Sequence, residues 1–133
     1  EETRMVDYNI TAGGLVFISP IRKWHGGGDD ESVFMGRSPQ GNDVVVPVSS
    51  ISTKHARFLP PSLGETSTWE IVDLDSRNGT FLGENRLSTQ KPTTLDDGVY
   101  LRLGGNLLAW FLYPGRLWHI FQQPDELKRL TEF

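Results

Sequence analysis

Short apolar runs alternate along the chain with turns rich in glycine and proline. Within several runs every second residue is apolar, which places apolar and polar side chains on opposite faces of a β-strand. The runs cover residues 15–18, 32–35, 44–46, 55–59, 68–74, 80–82, 98–103 and 106–113, and a further short strand is expected to open at Leu87. The pattern predicts an all-β sandwich of two antiparallel sheets built from about nine to eleven short strands.

The two ends of the chain differ from this central region. Residues 1–13 are mostly polar and predict a flexible N-terminal segment, whereas residues 14–113 form one predicted domain. Pro114-Gly115 breaks the last strand, and the helical spacing of apolar residues after it predicts a C-terminal helical extension or linker over residues 114–133. Pro124-Asp125-Glu126 is an expected helix start, because acidic side chains favour the positive end of the helix dipole. This helix either packs on the sandwich or leads to another domain.

Composition and charge narrow the classes of function. The chain has 13 Lys and Arg against 17 Asp and Glu, a net charge of −4, which argues against nucleic-acid binding because that requires a basic face. There is no cysteine, which excludes disulfides and thiolate metal sites and fits a cytoplasmic location, or a nuclear one in a eukaryote. No apolar stretch approaches the ~20 residues of a membrane-spanning helix. We therefore expect no nucleic-acid partner and no membrane-spanning segment.

The residues do not predict a catalytic centre. Ser52 and His55 could be combined with Asp73 or Asp75 as a triad, but a serine three residues before a histidine on a strand or turn rarely aligns with it. The sequence also has no Gly-x-Ser-x-Gly motif. Its three histidines are far apart and have no thiolate to join them, so no metal is predicted. Gly26-Gly27-Gly28 leads into acidic residues that repel phosphate, so no nucleotide cofactor is expected.

Three polar segments at predicted strand ends favour an anion site instead. They are Gly36-Arg37-Ser38, Ser52–Arg57 and Asp73–Phe81. A phosphate monoester carries about −1.5 to −2 charges at neutral pH and has three acceptor oxygens, which suits a guanidinium with hydroxyl or backbone donors beside it. Asn78-Gly79 is a strong turn signal, because both residue types tolerate positive φ. The candidate binding residues are Arg37, Ser52, Thr53, Lys54, Arg77 and Asn78.

In order and spacing, these segments resemble the signature of the forkhead-associated (FHA) domain family. The family pattern reads Gly-Arg, then Ser-x-x-His, then Asp-x-x-Ser followed by Asn-Gly-Thr. This chain reads Gly36-Arg37, Ser52-Thr53-Lys54-His55 and Asp73-Leu74-Asp75-Ser76-Arg77-Asn78-Gly79-Thr80, and the later glycine pattern of the family is similar to Leu95–Gly104. The resemblance covers residues 14–113. It implies a sandwich of about eleven strands that binds phosphothreonine peptides through loops at one end.

The resemblance also implies a division of roles. Arg37 and Ser52 are expected to contact the phosphate, with Thr53 beside them. Arg77 is expected to contact the phosphothreonine, and Asn78 to bond the peptide main chain. The expected structural residues of the site are Gly36, His55 and Gly79, the histidine supporting the loops and the glycines permitting the turns.

The chain departs from the family pattern at three places. Gly83-Glu84 replaces an Asn-Gly pair that members often carry, and Val99 replaces a commonly acidic residue. Neither position belongs to the expected phosphate contacts. Ser50 stands where some members have another arginine, so affinity is expected to rely on the remaining basic residues of the site.

The resemblance implies a phosphothreonine-peptide-binding interaction module in signalling that depends on Ser/Thr kinases, with no catalysis of its own. Two alternatives stay open from the sequence. One is an FHA-like scaffold that binds its partners independently of phosphate. The other is a domain that regulates a larger enzyme.

Overall fold

The computed structural model describes residues 6–9, 15–21, 32–61, 68–105, 107–123 and 125. Within this part of the chain there are eleven strands and one helix. The first six strands are β1 (Val6–Asn9), β2 (Leu15–Ile18), β3 (Val33–Gly36), β4 (Val44–Val45), β5 (Ala56–Leu59) and β6 (Trp69–Asp73). The later elements are β7 (Thr80–Leu82), β8 (Asn85–Arg86), β9 (Thr93–Leu95), β10 (Tyr100–Leu103), β11 (Leu107–Trp110) and α1 (Pro114–Phe121).

The strands form two main sheets, which confirms the predicted sandwich. One sheet has the order β4-β3-β5-β6-β9 and the other the order β11-β10-β7-β8, while β1 and β2 pair separately. The pairs are antiparallel except β3 with β4, which run parallel. The chain passes from β6 to β7 without pairing these strands, so the Asn78-Gly79 turn connects the two sheets.

Alternation within the strands builds the core between the sheets. Leu101 and Leu103 are 2% and 3% exposed while their neighbours in β10 are half-buried, as a period of two requires. Phe111 stacks on Phe58 with a ring-centroid distance of 6.4 Å and meets Trp69 edge-on at 6.0 Å. Each fully buried large side chain contributes about 1.5–3 kcal/mol, so this interior is the main source of stability.

The N-terminal segment contains a strand that the sequence analysis did not predict. Val6–Asn9 forms β1, which pairs antiparallel with β2 so that Val6 lies opposite Ile18. Val6 and Tyr8 alternate with two polar residues, a strand pattern that is too short to stand out from polar flanks. Residues 1–5, 10–14 and 22–31 lie outside the described residues.

Two later strands differ from the prediction: β9 (Thr93–Leu95) lies where no strand was expected, and β8 is displaced. The strand expected to open at Leu87 is β8, which ends one residue earlier; Leu87 itself is 9% exposed and donates its N–H to the Thr80 carbonyl. The helix starts at Pro114, because proline at the first helical position has a suitable φ and lacks an N–H that would be unpaired. Asp97 accepts the Tyr113 N–H at 2.8 Å and pairs with Arg116 at 3.1 Å.

Ile120 of α1 is 5% exposed, so this turn of the helix is packed. A second helix start was expected at Pro124; apart from Asp125, the residues concerned lie outside the described residues. No helix in the described part of the chain is both long enough and apolar enough to cross a membrane.

Candidate functional site

Loops from both sheets meet at one end of the sandwich around an open pocket of about 250 Å³. The pocket contains all six candidate binding residues. Its lining comprises Arg37, Ser49, Ser50, Ile51, Ser52, Thr53, Lys54, Arg77 and Asn78. Three of these side chains are basic and none of the described lining residues is acidic, so the pocket has the chemistry of an anion site. Their ligand contacts remain predictions.

Arg37 is held at the pocket by its own loop partners. Its backbone N–H donates to the Ser52 carbonyl at 2.9 Å, and its Nε donates to the Ile51 carbonyl at 2.9 Å. One terminal nitrogen reaches the Thr53 hydroxyl at 3.4 Å. A guanidinium has five N–H donors, of which these side-chain bonds engage two. The exposed end of the side chain is therefore oriented in advance and keeps donors for an anion.

Gly36 allows two segments of the chain to approach each other closely. Its φ is not positive, so it does not supply a left-handed turn. Instead, a Cβ at this position would overlap the Thr53 carbonyl and lie 2.8 Å from Nδ2 of Asn42. Glycine is required because the Ser52–Thr53 backbone crosses β3 at this point. The absent side chain thus allows the segments of Arg37 and Ser52–Thr53 to touch.

Asn42 is a supporting residue that the sequence analysis missed. Its side chain is 3% exposed, and Nδ2 donates to the carbonyls of Ser38 at 2.9 Å and Thr53 at 2.8 Å. These bonds tie the loop after Arg37 to the segment that carries the hydroxyls. Its sequence context, between Gly41 and an aspartate, suggests an ordinary turn, so the local sequence holds no signal of this role.

Ser52 connects two loops while keeping its hydroxyl proton available. Its Oγ accepts the backbone N–H of Arg77 at 2.9 Å. The hydroxyl is one donor and two acceptor sites, so this bond leaves the O–H free to donate into the pocket. The same contact fixes Arg77 near Arg37, although the two lie in segments 40 positions apart. The exposed Arg77 guanidinium makes no hydrogen bond with other described residues.

His55 lies buried beneath the pocket and contacts two of the loops that form it. It is 0% exposed; Nδ1 accepts the Ser52 N–H at 3.1 Å, and Nε2 lies 3.0 Å from the Gly79 carbonyl, to which it donates. These partners require the neutral tautomer with the proton on Nε2. Burial lowers the pKa of His55 below its usual range, although the Gly79 hydrogen bond and the charge of Asp73 oppose the shift.

This lowered pKa predicts that the protein loses stability in mild acid. The unfolded histidine takes up a proton near pH 6.5 while the folded one stays neutral, so folding stability falls as pH decreases from about 6.5 towards the folded pKa. We expect urea unfolding between about pH 7.5 and 5 to show a steeper loss in the parent than in His55→Gln. Parallel curves for the two proteins would exclude His55 as the source.

The Asn78-Gly79 turn is fixed by backbone partners. Gly79 has φ +88° and its carbonyl accepts from both His55 and the Gly104 N–H, the latter at 2.9 Å. Asn78 donates Nδ2 to the Ser50 carbonyl at 2.9 Å, which leaves its Oδ1 as an acceptor. Gly104 has φ +64°, and a Cβ there would lie 2.7 Å from the Ser50 carbonyl oxygen. It therefore belongs to the support of the site, which the sequence analysis noted only as part of a glycine pattern.

Asp73 organises the loop that precedes this turn. It is 1% exposed; Oδ1 accepts the hydroxyls of Ser76 at 2.5 Å and Thr80 at 2.6 Å, and Oδ2 accepts the Ser76 N–H at 3.1 Å. The carboxylate is thus used structurally. Because His55 bonds the backbone N–H of Ser52 and not its hydroxyl, these residues do not form a catalytic triad.

Lys54 and Thr53 lie at the exposed rim of the pocket. The Lys54 ammonium is 4.3 Å from the centroid of the Phe34 ring, a cation–π contact that places it on the side of the Gly41 loop. The Thr53 hydroxyl accepts from Arg37. Lys54 therefore adds positive charge at one edge, whereas Arg37, Ser52 and Arg77 present donors directly.

The fold and the pocket define a β-sandwich with a loop-borne anion site. The family model of the FHA domain matches residues 33–104, more than half of the sequence. The chain belongs to the forkhead-associated (FHA) domain family.

Individual relatives agree with this assignment. An FHA domain-containing protein of Arabidopsis thaliana is 36% identical over 73 residues, which are 55% of this chain and 18% of that protein. A probable E3 ubiquitin-protein ligase of Schizosaccharomyces pombe is 31% identical over 96 residues, covering 65% of this chain and 34% of the ligase. The chain therefore spans between 18% and 34% of the length of the curated relatives it matches.

Solved structures share the fold. The FHA domain of a hypothetical Arabidopsis thaliana protein superimposes with a TM-score of 0.52 at 30% identity, covering 77% of this chain and 78% of that one. The MEK1 FHA domain, solved with a phosphothreonine peptide of HOP1, gives a TM-score of 0.52 at 24% identity, covering 61% of this chain and 79% of the other.

Proposed function

We propose that this chain is an interaction module that binds phosphothreonine peptides and has no catalytic activity of its own. The observation that carries the proposal is the convergence of Arg37, Ser52 and Arg77 on one pocket, with donors left free and no acidic lining among the described residues. Family membership supports phosphothreonine as the phosphorylated group. Such ligands are products of Ser/Thr kinases, so the module acts in signalling downstream of them.

The phosphate is bound by charge-assisted hydrogen bonds. The free guanidinium nitrogens of Arg37 take two of its oxygens, and the Ser52 hydroxyl donates to another. Arg77 contributes charge from the opposite loop. Each such bond to a charged group stabilises the complex by about 1.5–3 kcal/mol. The chain's net negative charge opposes this only weakly, because exposed charges are screened beyond about 8–10 Å in physiological salt.

The peptide main chain is bound by Asn78. Its Nδ2 is already engaged by Ser50, which fixes the orientation of the amide and presents Oδ1 to a peptide N–H. This bond recognises the main chain of an extended peptide and does not select a particular side chain. Ser52 therefore binds the phosphate, and Asn78 binds the main chain of the peptide that carries it.

Calorimetry with one peptide in phosphothreonine and unmodified forms tests the proposal. We expect measurable binding of the phosphorylated form and loss of at least about a hundredfold in affinity without the phosphate, since two or more charge-assisted bonds disappear. Treatment of the bound peptide with a phosphatase should release it. Equal affinity for the two forms would favour the phosphate-independent scaffold instead.

A further inference from the structure

A second basic cluster lies beside the pocket on the outer face of the four-stranded sheet. In the register of this sheet, Phe81 of β7 is opposite Arg102 of β10 on one side and Arg86 of β8 on the other. The three side chains form one row across three strands, on the face opposite the buried Leu101 and Leu103. We call this row the Phe81 cluster.

The arginines of the Phe81 cluster contact the aromatic ring between them. The guanidinium carbon of Arg102 is 3.9 Å from the ring centroid, and that of Arg86 is 5.9 Å away. Stacking on a ring holds a guanidinium in place while its N–H edges stay available for carboxylates. Arg102 uses one donor in a long bond of 3.4 Å to the Gly105 carbonyl.

Neither arginine is neutralised by a carboxylate of the described residues. In this part of the chain the ion pair is Asp97 with Arg116. Glu84, the acidic residue of the β7–β8 turn, lies 3.4 Å from the Tyr100 hydroxyl, one row further from the pocket. A chain with a net charge of −4 thus keeps two uncompensated positive side chains together on one surface.

The Phe81 cluster adjoins the pocket directly. A Cβ at Gly79 would lie 2.9 Å from Nε of Arg86 and 3.1 Å from the Phe81 ring, and the preceding residue, Asn78, lines the pocket. From Asn78 to Phe81 is three residues, or about 10 Å of extended chain. A peptide held by its phosphate in the pocket therefore reaches the cluster with residues a few positions away.

We propose that the Phe81 cluster binds acidic side chains of the same peptide whose phosphothreonine occupies the pocket. The inference rests on the proposed function and adds to it a preference for acidic sequence beyond the phosphothreonine. Aspartate and glutamate match the guanidinium edges in charge and geometry. A nucleic acid suits the cluster less well, because base stacking requires an open aromatic face and Arg102 covers the Phe81 ring.

Three phosphothreonine peptides test this preference by calorimetry. One has a neutral background, and two carry a run of glutamates that begins about four residues after or before the phosphothreonine. We expect one acidic peptide to bind about three- to tenfold more tightly than the neutral one. An increase in affinity for an acidic peptide is diagnostic, because the net negative charge of the protein alone would weaken the binding of acidic peptides.

Matched variants locate the effect. Arg86→Gln and Arg102→Gln should each lose most of the gain and keep parent affinity for the neutral phosphopeptide, which also shows that they are folded. Lys91→Gln removes the same charge from an exposed position that lines no part of the pocket, and it should keep the gain.

The outcomes separate this inference from the proposed function. If all three phosphopeptides bind equally, the acidic preference is wrong and phosphothreonine binding stands. If none binds, both proposals fail. A gain that survives in both arginine variants would show that the cluster is not its source. Tighter binding of a single-stranded oligonucleotide, abolished in the same variants, would overturn the peptide proposal in favour of nucleic acid.

Discussion

Arg37→Ala is expected to weaken binding of a phosphothreonine peptide at least about tenfold while the fold stays intact. The substitution removes charge-assisted bonds of about 1.5–3 kcal/mol each, and tenfold in affinity corresponds to about 1.4 kcal/mol. Arg37 is exposed, and the carbonyl of Ile51 that it releases lies beside the open pocket, where water can replace the donor. Calorimetry gives the affinity, and thermal melting gives the stability.

Two further variants define the cause of that loss. Arg37→Lys keeps the charge but not the planar fork, so we expect it to bind more tightly than Arg37→Ala and more weakly than the parent. Lys91→Ala removes a positive charge outside the pocket and should bind like the parent. Unchanged affinity in Arg37→Ala would exclude this residue from the phosphate contacts.

His55→Ala is expected to lower both stability and binding. The substitution empties a fully buried position and leaves the Ser52 N–H and the Gly79 carbonyl without their side-chain partner. Cavity formation together with the lost bonds costs about 3–5 kcal/mol. Because Ser52 and Gly79 belong to different loops, their separation also disturbs the pocket. Urea unfolding measures the stability, and calorimetry well below the melting temperature measures the affinity.

A core variant distinguishes loss of the site from general destabilisation. Leu95 is 0% exposed and lies opposite Trp69, at the end of β6 away from the pocket. Leu95→Ala should lower stability by about 2–5 kcal/mol and leave the phosphopeptide affinity of the folded protein unchanged. Unaltered melting of His55→Ala, or parent affinity in its folded state, would remove the supporting role of the histidine.

The sandwich was predictable where strands are long and alternate cleanly. In β10 the apolar residues at every second position are those that the core buries, and in β6 the predicted range contains the strand. β1, β9 and the exact position of β8 were not predicted. These strands have only two to four residues and several polar ones, which is too few to give a distinctive periodicity. The parallel pairing of β3 with β4 was also hidden, since a strand's own pattern does not state its neighbour's direction.

The six candidate binding residues could be proposed from the sequence, because each stands in a short segment of recognisable composition, and all six line the pocket. Its supporting residues were harder to find. In the sequence Asn42 resembles a turn residue, and only the structure shows that it donates to the Thr53 carbonyl. Gly36 likewise resembles a flexible turn residue, but the structure shows that a side chain there would overlap the same carbonyl. Both roles depend on contacts with a segment distant in sequence, so no local sequence pattern indicates them.

The order of residues along the chain was sufficient for the all-β class, for the family resemblance and for the six candidate binding residues, since composition and spacing are local properties. Tertiary structure decided the rest. It brought three loops to one pocket and assigned Asp73 and His55 to structural hydrogen bonds. It also placed Arg86 and Arg102 on either side of Phe81 beside the site. These are distances between residues remote in sequence, and they exist only after the strands have paired and the two sheets have packed.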